Sequence, residues 1–192
     1  MSYIGSPPED QVAAIYEADR ARLGYVANFS RVFAHRPEVY AAWQRLNASV
    51  KEAMDLRRYE LATLAAARAL RSSYCMLAHG KILADSFYDA DTVRAIAADH
   101  RAAGLDAVDV AVMDLAEKVA LDASSVTPRD IARLHELGLG DAEIFDVVAA
   151  AAARCFFSTA LEALGAEPDS AYGSLGPELR EQLTVGRPIA AR

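Results

Sequence analysis

An all-α fold is predicted by three features of the 192-residue sequence. Apolar residues recur at steps of three and four, alanine dominates the apolar fraction, and no strand-like alternation flanks a hairpin dipeptide. Pro and Gly fall mostly at segment edges, where they start and stop helices. The length suits one well-buried core, and 53% hydrophobic with 24% charged residues is the balance of a globular chain.

The helices can be placed in order. Ser6-Pro7-Pro8-Glu9 opens a first segment that runs toward Arg22 and stops at Gly24. Pro37 starts a second, in which Val39, Trp43, Leu46, Val50 and Met54 predict a core face. Asp55 is the expected cap of a third helix, from about Arg57 to Leu70, with Arg57 and Arg58 solvated at its start. A fourth is expected from Ser73 to Phe87, and Asp91-Thr92 would cap a short fifth. Val108, Val112, Leu115 and Val119 mark a sixth. Thr127-Pro128-Arg129-Asp130 starts a seventh that ends at Gly138, and Gly140-Asp141 begins a long eighth. About eight helices in one bundle are therefore expected across residues 1–165, with 166–192 an arm or tail over the body or over a neighbouring subunit.

Charge and composition exclude several classes of partner. A net charge of −7 with scattered basic residues argues against nucleic acid. The most apolar stretch, Ile144 to Leu164, is interrupted by Asp146, Arg154 and Glu162, so it reads as a buried core helix and no membrane partner is expected. Met1 to Pro8 lacks the pattern of a secretory signal, and two cysteines 80 positions apart make no disulfide framework. A reducing cytoplasm fits, with any cysteine chemistry redox or nucleophilic.

That chemistry is expected around Cys75 and His79. Four residues apart on a helix, they share a face and their side chains can meet. Ser72, three residues before Cys75, can cap that helix, and a cysteine in a first helical turn sits in positive backbone potential that favours the thiolate. An adjacent imidazole can take the thiol proton. Glu60 interrupts a run of small apolar residues as the third candidate. Spacing alone does not bring it to the others, because an antiparallel hairpin sets Glu60 and the Ser72 turn toward opposite ends. His35 reads as a turn residue, His100 and His135 as surface positions near helix ends, and Trp43 as a core anchor. Cys155 reads as core more than as a partner thiol, and Tyr74 as packing more than as a pocket donor. Glu60, Cys75 and His79 form a poor zinc set, so neither metal nor cofactor is expected.

Glu60, eleven residues, Ser72, two residues, Cys75, three residues, His79 resembles the Glu-x11-Cys-x2-Cys-x3-His pattern of the AhpD-like alkylhydroperoxidase and carboxymuconolactone decarboxylase family. The stretch from Phe29 to Glu38 and that from Cys155 to Asp169 are similar to its peroxidase-related branch. The resemblance implies an AhpD-like helical bundle and a thiol peroxidase taking a small-molecule hydroperoxide. It also implies Cys75 as peroxidatic thiol, a proton relay through His79 and Glu60, and a homo-oligomer. Ser72 stands where the family has its resolving cysteine, so the intramolecular disulfide cannot form there. Three readings remain open. An external thiol or dithiol can reduce the Cys75 sulfenic acid. Cys155 can resolve it if the α-carbons come within ~7 Å. The pocket can also have turned to a non-redox role or to a decarboxylase-like lyase. Ser72 is expected to hydrogen-bond the thiolate.

Overall fold

A computed structural model describes residues 2–191 and contains ten α-helices and two short 3-10 turns, with no strand among these residues. The helices are α1 (Glu9–Leu23), α2 (Asn28–Phe33), α3 (Pro37–Ala53), α4 (Leu56–Ala69), α5 (Ser73–Ser86) and α6 (Ala90–Asp99). They continue with α7 (Ala107–Asp122), α8 (Pro128–Glu136), α9 (Asp141–Ala163) and α10 (Pro177–Leu183). Two more helices exist than the sequence suggested, because α2 and α10 are six and seven residues long and too short to show a period.

Local chemistry sets the boundaries. Gly24 ends α1 at φ 83°, a left-handed conformation that glycine adopts without steric cost. Asp55 caps α4 by accepting from Arg58 N at 3.0 Å. The cap of α6 is Asp89, not Asp91-Thr92: its carboxylate accepts from Thr92 N at 2.7 Å.

Helix α4 lies at the centre, packed on α5, α7 and α9. All nine residues from Tyr59 to Ala67 are buried, and Ala62, Ala65, Ala66 and Ala67 let neighbouring backbones approach. Helix α9 is long and apolar enough by composition to span a bilayer, yet it serves the core through Ile144, Val147, Phe157 and Leu161. Helix α3 packs on α9, and its buried face is turned toward Tyr40 and Val50, so Val39 and Leu46 face solvent instead of the core. Arg57 and Arg58 are not free in solvent either: both bind the buried Asp109 of α7. His100, expected at the surface, is fully buried between Arg68 and Asp114.

The last segment returns over the body. Leu179 and Leu183 of α10 are buried, α10 packs on α5 and α6, and Gly186 N donates to Ser73 Oγ at 2.7 Å. Gly80 of α5 makes room for this contact, since a Cβ there would meet Leu183 Cδ1 at 2.6 Å. Leu183→Ala should therefore cost about 2–5 kcal/mol of folding stability. Urea unfolding measures it, and a cost near zero would show that α10 is not part of the cooperative core.

Candidate active site

The carboxylate of Glu60 is fully buried in the most central helix of the fold, an arrangement that survives only with charged or hydrogen-bonding partners. It has two. His79 Nδ1 lies 2.5 Å from Glu60 Oε2, and Lys51 Nζ of α3 lies 3.2 Å from Oε1. The turn Leu70–Ser72 reverses the chain so that α4 and α5 run antiparallel. Glu60 stands eleven residues before Arg71 and His79 eight after it. At about 1.5 Å per residue the two reach similar heights along the helix pair. The Ser72 end of α5 stays apart, as the hairpin argument requires, while His79 bridges the gap.

Cys75, one turn before His79, is 1% exposed. Ser158 Oγ donates to its Sγ at 3.1 Å, and Arg154 Nη1 lies 3.7 Å from the same sulfur. Both come from α9, one turn apart. Arg154 Nη2 donates to Tyr59 Oη at 3.4 Å, and Tyr59 Oη donates to Asn47 Oδ1 at 2.8 Å. Arg154 is itself 4% exposed, and its Nε has no hydrogen-bond partner among the described residues. It pairs with no carboxylate there, and the acidic groups beside it are the Tyr59 phenol and the Cys75 thiol, of which a thiol is by nature the stronger acid.

The titration of these groups follows from their surroundings. Burial pushes the Glu60 carboxyl up, but the His79 hydrogen bond and the Lys51 charge together outweigh it and hold the acid below its ordinary value. Burial, then the Arg154 charge, push His79 below its ordinary 6.5 against the pull of Glu60. The pair is thus an ionised carboxylate accepting from the Nδ1–H of a neutral imidazole, with Nε2 left as the base. Burial opposes the Arg154 charge, yet the Cys75 and Tyr59 contacts hold the guanidinium above its ordinary value.

Of the four residues singled out in the sequence, Glu60 and His79 are joined directly and Cys75 lies one turn away on the same helix. Ser72 does not join them. It is the N-cap residue of α5 without a side-chain cap bond, and its buried hydroxyl faces Glu162 of α9 with no well-formed hydrogen bond. The hydroxyl that meets the sulfur is Ser158. Cys155 is a free, half-buried thiol, and what α9 presents to Cys75 is Arg154 and Ser158. Tyr74 Oη donates to Asp169, tying α5 to the segment after α9. Sequence reading missed Arg154 and Ser158, although a lone cation in the most apolar stretch was their visible signal.

Residues 37–118, which include Glu60, Ser72, Cys75 and His79, match the carboxymuconolactone decarboxylase family. The chain is similar to that family over this stretch, which is less than half of its length. Its fold is shared with solved structures. An alkylhydroperoxidase AhpD core, an uncharacterized peroxidase-related protein from Ralstonia eutropha JMP134, has TM-score 0.78 and 23% identity, covering 89% of this chain and 94% of that one. An uncharacterized peroxidase-related protein from Silicibacter sp. TM1040 has TM-score 0.80 and 19% identity, covering 90% and 94%. The debrominase Bmp8, in complex with 2,3,4-tribromopyrrole, has TM-score 0.75 and 12% identity, covering 93% and 96%. No curated protein matches the chain in sequence. The matched stretch spans α3 to most of α7, whereas Arg154 and Ser158 lie outside it on α9.

One other group could be mistaken for a metal centre. His100, Asp114 and Glu117 bring ligand atoms within 4.8 Å of one another. Arg68 and Arg101 already occupy them, with Arg68 bonded to His100 and Glu117 and Arg101 to both carboxylates. This is an ion-pair network.

A depressed His79 fixes the sign of a pH effect. Below 6.5 the unfolded chain binds a proton at this position more readily than the folded one, so stability falls as pH drops through that value toward the folded one. The urea midpoint should therefore drop between about pH 7 and 5.5, and the drop should shrink in His79→Gln. An equal drop in both proteins would contradict a neutral buried imidazole.

Proposed function

We propose that the protein is an alkylhydroperoxidase-type thiol peroxidase in which Cys75 is the peroxidatic sulfur and His79 with Glu60 is the proton relay. The observation that carries the reading is the pairing of a buried carboxylate with a neutral imidazole, one helical turn from a sulfur held by a guanidinium and a hydroxyl. Peroxide-related names among the structural neighbours are in keeping with it.

The chemistry follows from these positions. Nε2 of His79 takes the Cys75 proton. The thiolate attacks the distal oxygen of the hydroperoxide, so an S–O bond forms as the O–O bond breaks. The leaving alkoxide receives the proton back from His79 and departs as an alcohol, leaving Cys75 as a sulfenic acid. Arg154 N–H donors stand where negative charge moves from sulfur to oxygen, the arrangement in which fixed donors accelerate a reaction most. Ser72 cannot form a disulfide, and the groups of α9 that meet Cys75 are Arg154 and Ser158. Reduction is therefore assigned to an external thiol, which displaces water from the sulfenic acid to form a mixed disulfide that a second thiol opens. Such a cycle suits a reducing cytoplasm.

Exposed Val39 and Leu46 on α3 and Phe145 and Phe156 on α9 form apolar surface on two packed helices. Apolar surface of this kind is what a second copy would cover, and its exposure supports a homo-oligomer.

Treatment with one equivalent of an organic hydroperoxide, followed by a sulfenic-acid trap and mass spectrometry, should label Cys75 and spare Cys155. An unlabelled Cys75 beside an oxidised control thiol would refute the peroxidase reading. Arg154→Met should slow the labelling about 100-fold, the usual scale for removing one charge-stabilising donor, whereas unchanged labelling would remove Arg154 from the reaction.

A further inference from the structure

The sulfur that the proposed reaction uses is sealed. Cys75 is 1% exposed, so reactants reach it only when part of the fold moves. Most of its surroundings cannot move cheaply, because α4 packs on both α5 and α9 and their buried apolar residues form the main core. The exception is the stretch that joins α9 to α10. Its 3-10 turn, Ser170–Ser174, contains no buried residue, and what it and its flank rest on the core are the half-buried side chains of Tyr172 and Leu175. A segment with so little apolar burial opens at low cost.

This stretch lies beside the sulfur. The Tyr172 ring meets that of Tyr74, the residue before Cys75, edge-on at 6.1 Å. Burial first, then the charges of Asp169, Tyr25 and Cys75, push the Tyr172 phenol above its ordinary value, so the sulfur is within its electrostatic reach.

Polar bonds hold the stretch down. The Asp169 carboxylate accepts from Asn28 N of α2 at 2.8 Å with one oxygen and from Tyr74 Oη with the other. Asn28 Nδ2 donates to Glu167 O at 3.1 Å, and Ala190 N donates to Pro168 O at 2.9 Å. Both ends are anchored, by the fully buried Ala166 after α9 and by Leu179 and Leu183 of α10. Along one side runs a cleft of about 900 Å³, with Tyr25, Asn28, Asp169, Ser170, Ser174 and Ala190 among its lining residues. The stretch therefore has fixed ends, few apolar contacts and room to swing.

We propose that residues 167–176 are a lid over Cys75, latched by Asp169 on Tyr74 and Asn28, which opens while the helical core stays folded. That reactants enter beneath it rests on the proposed function; the opening itself does not.

Iodoacetamide alkylation of the reduced protein, read at each cysteine by mass spectrometry across sub-denaturing urea, tests the lid without any peroxide. Cys75 labelling should rise with urea far less steeply than global unfolding followed by circular dichroism, because a lid exposes much less surface than the whole chain. Asp169→Ala should speed Cys75 labelling about tenfold or more, the scale of losing hydrogen bonds to a buried carboxylate, while Cys155 on α9 is labelled at its former rate. Tyr74→Phe keeps the ring and removes one latch bond, so it should act in the same direction by a smaller factor, and it serves as the test if Asp169→Ala loses its helical spectrum. A Cys75 slope equal to that of global unfolding, unaltered Cys75 labelling in a folded latch variant, or an equal acceleration at Cys155 would each overturn the lid. Sulfenic-acid trapping at Cys75 is read separately, so failure of the lid and failure of the peroxidase reading are distinguishable.

Discussion

Everything in the site depends on how the fold holds one carboxylate away from water. Glu60 sits in a helix stretch buried on every side, where an unpaired charge would cost several kcal/mol. Its partners come from two other helices, His79 on α5 and Lys51 on α3. Satisfying Glu60 therefore fixes the register of α5 against α4 and draws α3 across their ends. The same bond orients the imidazole and directs its Nδ1–H to the acid, on the helix that carries Cys75 one turn earlier.

A second constraint is supplied by α9. Its apolar faces hold the core together, and the one cation in its middle is carried inward with no acid to meet it among the described residues. Arg154 instead reaches the sulfur, the Tyr59 hydroxyl and the face of the Phe157 ring, 5.5 Å from its centroid. A buried guanidinium this poorly paired is costly unless negative charge visits its surroundings. The sulfur of Cys75 is the group placed to supply it. The two constraints meet at Tyr59, whose ring stands edge-on to His79 with Lys51 over its face and whose hydroxyl oxygen accepts from Arg154.

Much of this was legible in the sequence because it rests on short-range rules. Eight helices were marked by caps, Pro starts and Gly stops, and the spacing of Glu60, Cys75 and His79 pointed to the family core. What escaped depends on tertiary packing. Two residues of the α3 apolar stripe, Val39 and Leu46, face solvent because the packed face is rotated toward Tyr40. Arg57, Arg58 and His100 read as surface groups because their buried partners lie on α7, far along the chain. Ser72 read as the natural hydroxyl for the sulfur because it is close in sequence. The actual donor, Ser158, is 83 residues away and reaches Cys75 only because α9 packs across α4. The helices α2 and α10 are too short to leave a periodic trace.

The chemistry of the site turns on the protonation state of His79. Nitrogen-15 NMR of the imidazole in the reduced protein at about pH 7 reads it directly, since the two ring nitrogens shift differently when protonated. A neutral ring carrying its proton on Nδ1, coupled to Glu60, is the predicted result. A doubly protonated imidazolium, or a neutral ring protonated on Nε2, would contradict a His79 base held by Glu60.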